Sequence, residues 1–168
     1  MSRLENLEPK EVFHYFEEIS QIPRPSYKEG KISDYLVKFA QDRNLTVYQD
    51  EIKNVVIIKE ATKGYENVEP IIIQGHMDMV CEKEPGYDID MEKEGLTLQV
   101  EGDYLSAKGT TLGGDDGIAV AYALAILDSD KIEHPRLEVI ITVCEEVGMD
   151  GATALDTSMI TGKRVLNL

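Results

Sequence analysis

From Asp116 to Leu127 the chain runs Asp-Gly-Ile-Ala-Val-Ala-Tyr-Ala-Leu-Ala-Ile-Leu, and beyond Gly117 it offers water no polar face at all. A helix that is apolar all round is stable only where other elements cover it, so the pattern demands a layered domain with a real core. The run is much shorter than the roughly 20 residues that a bilayer requires, which excludes a spanning reading. At 168 residues the chain has the length of one domain, and 42% hydrophobic with 29% charged residues is a globular rather than a disordered composition.

Short apolar runs surround that helix. Ile71-Ile-Ile-Gln-Gly-His76 and Arg136-Leu-Glu-Val-Ile-Ile-Thr-Val143 have the length and branched composition of strands buried on both faces. Residues 45–50 and 54–60 read as two strands joined by a tight turn, 96–100 and 104–107 as a hairpin hinged at Gly102-Asp103, and 164–168 as the start of one more strand. Pro9 suits a first helical position, with Val12, Phe13, Phe16 and Ile19 following at helical spacing. Ile22-Pro-Arg-Pro-Ser26 breaks that helix. Ser26 and Glu29 then have the spacing of a capping box, opening a helix striped by Ile32, Tyr35, Leu36, Phe39 and Ala40 that ends near Asn44. Strands alternating with helices in this way predict a three-layer α/β/α sandwich around a mostly parallel sheet, with chemistry gathered at the carboxyl edge of the strands.

Three clusters fall there. Gly75-His76-Met77-Asp78 ends an apolar strand; a neutral imidazole is a good metal ligand, and a nearby carboxylate fixes its tautomer. Alone, the pair more often marks a hydrogen-bonded structural histidine than a ligand. Gly109-Thr-Thr-Leu-Gly-Gly-Asp115-Asp116-Gly117 delivers two adjacent acids to a helix start. Helix capping accounts for one Asp but not for two beside so many glycines, and two carboxylates repel any phosphate. Cys144-Glu145-Glu146 follows the second buried strand, where paired glutamates repel unless solvent or a cation neutralises them. One histidine and five carboxylates on one sheet edge suit two divalent cations with hard ligands: zinc, manganese or cobalt.

Composition sets the remaining bounds. A net charge of −15, from 32 acidic and 17 basic residues without a local basic cluster, argues against nucleic acid as a partner. The first nine residues carry no apolar signal-peptide region, which makes the cytoplasm the expected compartment. There Cys81 and Cys144 are expected as thiols, acting as small buried hydrophobes.

The ordered set His76-x-Asp78, Gly-Gly-Asp115-Asp116-Gly and Glu145-Glu146 resembles the two-zinc peptidases related to aminoacylases and glutamate-releasing carboxypeptidases. Ile22-Pro-Arg-Pro-Ser26, Gly75-His-Met-Asp-Met-Val80, Gly109-Thr-Thr-Leu-Gly113 and Glu145-Glu-Val-Gly-Met-Asp-Gly-Ala152 narrow the resemblance to the Xaa-His (aminoacyl-histidine) dipeptidases, through essentially all 168 residues. The resemblance implies metal-dependent hydrolysis of dipeptides by a metal-bridging water. His76 would bind one zinc, Glu146 the other, and Asp115 both. Asp78 would orient His76, Glu145 would be the general base, and the Asp115–Asp116 peptide would be cis. Many relatives have Asn after the bridging Asp, so Asp116 leaves open which of the two acids bridges.

It also implies that the 168 residues are the N-terminal part of a catalytic domain. A further Asp ligand, a distant second His, and a lid or dimerisation domain are expected outside the chain, which alone is then expected to bind zinc weakly and hydrolyse nothing. A small dipeptide is the expected substrate and a homo-oligomer a possible state. The competing readings are a non-catalytic fragment and an N-acyl amino-acid deacylase or tripeptidase on the same scaffold.

Overall fold

The computed structural model describes residues 4–168. The elements in chain order are α1 (Lys10–Ser20), α2 (Gly30–Asp42), β1 (Thr46–Gln49), β2 (Val55–Lys59), β3 (Ile71–His76), β4 (Leu98–Glu101), β5 (Tyr104–Ala107), α3 (Gly114–Asp128), β6 (Leu137–Thr142), α4 (Asp150–Ala154) and β7 (Arg164–Asn167). Five strands form one sheet in the order β1-β2-β6-β3-β7, and β4 and β5 form a separate hairpin. β6, β3 and β7 are parallel, whereas β1 and β2 join antiparallel. The sheet is thus mixed where the sequence predicts a mostly parallel one. The turn between β1 and β2, closed by Asp50 and Asn54 through backbone hydrogen bonds, is too short for a parallel crossover, which takes a dozen or more residues.

One face of the sheet packs Val55, Ile57, Ile73, Val139 and Ile141 against α1, α2 and α3 in the main core. The other face presents Val56, Ile58, Ile72 and Ile140 to Leu155, Met159 and Ile160. The third layer is therefore thin, made of α4 and the segment after it. In α1 the buried residues are Val12, Tyr15, Phe16, Ile19 and Ser20; three of the expected stripe are among them, while Phe13 is only half-buried and Tyr15 takes its place, and this helix lies against α3. α3 is non-helical at Asp115 and Asp116, so its regular helix begins near Gly117, close to the start of the apolar pattern, and it buries most of its surface, although Ile118 and Tyr122 remain partly exposed. Among the described residues no helix is long and apolar enough to cross a membrane.

Two sequence expectations fail because partners distant in the sequence intervene. β4 starts at Leu98 rather than Leu96, because the Leu96 N–H donates to the Ser20 carbonyl at the end of α1 and is lost to the hairpin ladder. The capping box at Ser26 and Glu29 does not form; Glu29 itself stands at the N-cap position and makes no side-chain cap. Both side chains are engaged elsewhere, Ser26 with Asp78 and Glu29 with Cys144.

The register matters most for chemistry. β3 and β6 pair in parallel from Ile71 with Leu137 to His76 with Thr142. The two strands end level, so Met77–Asp78 and Val143–Glu146 leave the sheet side by side, and α3 brings its N-terminus to the same edge.

Candidate metal centre

His76, the last residue of β3, is buried, and four carboxylates surround its ring or its backbone. Its Nε2 lies 3.0 Å from Asp115 Oδ1 and 3.7 Å from Glu145 Oε2, and its Nδ1 lies 3.3 Å from Asp78 Oδ1. Its backbone N–H donates to Asp116 Oδ2 at 3.1 Å. Burial lowers the imidazole pKa, but hydrogen bonds to Asp78 and Asp115 and the charges of Asp78 and Asp116 outweigh it, and the net value is pushed up to about 9. The ring holds a proton at neutral pH until a cation replaces it.

Asp78 has no exposed surface. Burial alone would raise its pKa; hydrogen bonds from His76, the Glu145 N–H, the Ser26 hydroxyl and the Glu146 N–H hold it down to about 2. It is therefore a permanent anion facing inward, placed to hold His76 and the backbone of both glutamates at once.

The two adjacent aspartates point in opposite directions. Asp115 turns out to the cleft, its side chain 86% exposed, and meets His76 Nε2. Asp116 is turned in and is 4% exposed; burial pushes its carboxyl up to about 6, against the lowering effect of the His76 N–H. The peptide between them is cis, as the family resemblance implies. Of the two acids, Asp115 faces the imidazole. Room for this packing depends on Gly75, where a Cβ would meet Asp116 Oδ2 at 2.6 Å and Ala119 Cβ at 2.9 Å.

His76, Glu145 and Glu146 each offer a ligand atom, and these atoms lie within 4.8 Å of one another. The sequence grouped Asp115 with His76 and Glu146 as ligands; the geometry adds Glu145 to the same cluster and keeps Asp115 against His76. Burial and the neighbouring Asp115, Glu145 and Asp78 raise the Glu146 pKa, opposed only by His76. One imidazole and several carboxylates make a donor set that fits zinc, manganese or cobalt. The site opens into a cleft of about 560 Å³ lined among others by Thr142, Met149 and Asn167, and flanked by β7.

Sequence reasoning missed three residues here. Arg24 is 2% exposed and donates to the carbonyls of Met77 (3.1 Å), Asp78 (3.4 Å) and Gly113 (2.6 Å), tying the end of β3 to the turn before α3. Glu29 and Asn54, also buried, bind the backbone that leaves β6. The Pro-Arg-Pro-Ser run was the available signal for Arg24, and a capping box was the wrong reading of Glu29. The cysteines are free thiols. Cys144 is buried, and burial together with Glu29 pushes its thiol up to about 11, so it is inert.

An α/β domain that gathers an imidazole and several carboxylates at the carboxyl edge of its parallel strands has the architecture of a cation-dependent hydrolase. Comparison with known proteins gives the class its family. The chain belongs to peptidase family M20/M25/M40, whose profile matches residues 72–165. It is 38% identical over 167 residues to the cytosol non-specific dipeptidase of Escherichia coli, covering 99% of this chain and 34% of that protein. The crystal structure of aminoacylhistidine dipeptidase from Vibrio alginolyticus superposes with a TM-score of 0.95 at 38% identity, again over 99% of this chain and 34% of the other. Aminopeptidase PepT from Bacillus cereus matches with a TM-score of 0.76 at 30% identity, over 95% of this chain and 43% of that one. The chain thus spans about a third of the length of the two dipeptidases.

Proposed function

We propose that this chain supplies part of the active site of a metal-dependent dipeptidase acting on Xaa-His or similar dipeptides. The observation that carries the proposal is the convergence of His76, Glu145 and Glu146, whose ligand atoms lie within 4.8 Å of one another, with Asp115 against His76 Nε2 and a buried Asp78 holding His76 and the backbone of both glutamates. The likeness to two dipeptidases supports the substrate class.

In this reading His76 and Glu146 each hold one of two divalent cations, and Asp115 serves both. When bound, the cations polarise the scissile carbonyl and acidify the attacking water. The protein's own residues manage geometry and protons. Asp78 accepts from His76 Nδ1, which leaves Nε2 free to face the cleft as a ligand. Glu145, half-buried beside His76, takes a proton from water and delivers it to the leaving amine, as general acid–base catalysis requires of a carboxylate within reach. Asp116 stays inside the fold and supports the His76 backbone.

The test is a chimera in which this chain replaces the matching third of the E. coli relative. Hydrolysis of an aminoacyl-histidine dipeptide is then compared with that of a tripeptide and an N-acyl amino acid. Dipeptide turnover that a chelator and Glu145→Gln both abolish is the expected result. Preference for the tripeptide or the N-acyl substrate would move the function elsewhere on the same scaffold, and a folded, metal-loaded but inactive chimera would refute catalysis. The 168-residue chain alone is expected to be inactive: His76, Asp115 and Glu146 give each cation two protein ligands, one of them shared, where catalytic zinc sites have three.

A further inference from the structure

Four consecutive backbone N–H groups leave the end of β6, and each donates to a buried side chain from a distant part of the sequence. Val143 donates to Asn54 Oδ1 at 3.0 Å and Cys144 to Glu29 Oε1 at 2.9 Å. Glu145 donates to Asp78 Oδ1 at 3.0 Å and Glu146 to Asp78 Oδ2 at 3.2 Å. Cys144 has a left-handed φ of +53° that turns the chain within this run. The acceptors are two carboxylates, Glu29 and Asp78, and one amide oxygen, that of Asn54. Asn54, Glu29 and Asp78 are all buried.

Two of these acceptors touch no candidate ligand side chain. Among the described residues the Glu29 carboxylate accepts from the Cys144 N–H and, at 3.3 Å, from its thiol. Asn54 bridges the loop at two places, accepting from Val143 and donating to the Gly151 carbonyl at 2.9 Å, while Asp50 holds its amide at 2.7 Å. The segment they grip carries both glutamates of the site and emerges from a strand that ends at Thr142, so the sheet ladder no longer fixes its direction.

We propose that Glu29 and Asn54 are positioning residues for the Glu145–Glu146 pair: they lock the backbone of residues 143–146 so that both carboxylates reach the point defined by His76 Nε2. The inference rests on the reading of Glu146 as a cation ligand and adds a layer outside Asp78. Partners one step removed from a metal ligand typically change affinity by about 10–100-fold when lost.

The experiment is a zinc titration of the 168-residue chain against a chromophoric chelator, paired with hydrogen exchange at the amides of residues 143–146. The variants are Glu29→Ala, Glu29→Gln, Asn54→Ala and Glu146→Gln. Ile57→Val is the control, a change in the main core away from the site. Glu29→Ala should weaken zinc binding about tenfold or more and speed exchange at Cys144 and its neighbours. Glu29→Gln keeps an oxygen that accepts the same N–H, and should stay within a few-fold of the parent. The control should match the parent in both readouts. Parent-like zinc affinity in Glu29→Ala, or an equal loss in Ile57→Val, would overturn the positioning role. If Glu29→Ala does not fold, Asn54→Ala carries the same expectation and the same refutation. If Glu146→Gln binds zinc like the parent, the cation reading fails and takes this inference with it. If Glu146→Gln loses zinc while Glu29→Ala keeps it, the positioning inference alone fails.

Discussion

Glu145 and Glu146 are chemically identical and adjacent, yet the proposed function gives them different work. Both N–H groups are fixed on Asp78, and both side chains reach the same cluster with His76. In the dipeptidase chimera, Glu146→Gln should lower the zinc content per chain, whereas Glu145→Gln should retain metal and lose most turnover, because an amide cannot accept the proton. Metal analysis beside rate measurement checks this, and equal metal loss in both variants would refute the assignment. Gly75 gives a second prediction at this scale. A methyl group there meets Asp116 and Ala119 well inside contact distance, and overpacking of this kind costs about 1–3 kcal/mol. Gly75→Ala should shift the urea midpoint of the 168-residue chain accordingly, and an unchanged midpoint would show that Asp116 can move aside freely.

Among the elements, β6 has the most consequential sequence. All six of its residues are buried, including Glu138. That carboxylate accepts from the Thr161 N–H and hydroxyl, the Gly162 N–H and Arg136 Nε, which holds the turn leading into β7. Burial raises its pKa, but the Thr161, Gly162 and Arg136 donors outweigh it and the net shift is downward. A folded-state value below the unfolded one gives stability that is present above the ordinary carboxylate range and lost as pH falls through the folded value. Glu138→Gln should therefore be less stable than the parent at neutral pH by about 1–3 kcal/mol, the usual cost of weakening charge-assisted hydrogen bonds to a buried acceptor. The gap should narrow as pH falls below about 4. Denaturant titrations from pH 7 to 3 measure it, and a gap independent of pH would refute the ionic role.

For the whole molecule, two features dominate: a cluster of acids within a net charge of −15, and an edge strand with apolar residues in water. Cations that neutralise the cluster bind the folded chain and not the unfolded one, so added zinc should raise the melting temperature in a concentration-dependent way. The rise should vanish in His76→Ala. At the other side of the cleft, among the described residues β7 pairs only with β3, and its Val165 and Leu166, with Leu168 after it, are about half exposed or more. Unpaired apolar edges recruit other strands. Sedimentation velocity of the 168-residue chain should show association that grows with concentration and is suppressed by Leu166→Lys; monomers throughout the concentration range would count against a sticky edge.

By itself the sequence determined whatever depends on periodicity and on short-range order. Ile71–His76 and Tyr104–Ala107 were legible to the residue, because an apolar run ending in a turn specifies a strand locally. The candidate cluster was legible because three motifs, each with an ordinary structural reading alone, fall together at one sheet edge. Tertiary structure decided what depends on partners far along the chain. Ser26 and Glu29 have the spacing of a capping box, but a buried Asp78 and the N–H of Cys144 bind them instead, and no local pattern announces a partner 52 or 115 residues away. The facing of Asp115 rather than Asp116 towards His76 and the inclusion of Glu145 in the ligand cluster have the same origin. Each is fixed by packing across the sheet, where the energy of a contact depends on which residue lies opposite and not on which residue comes next.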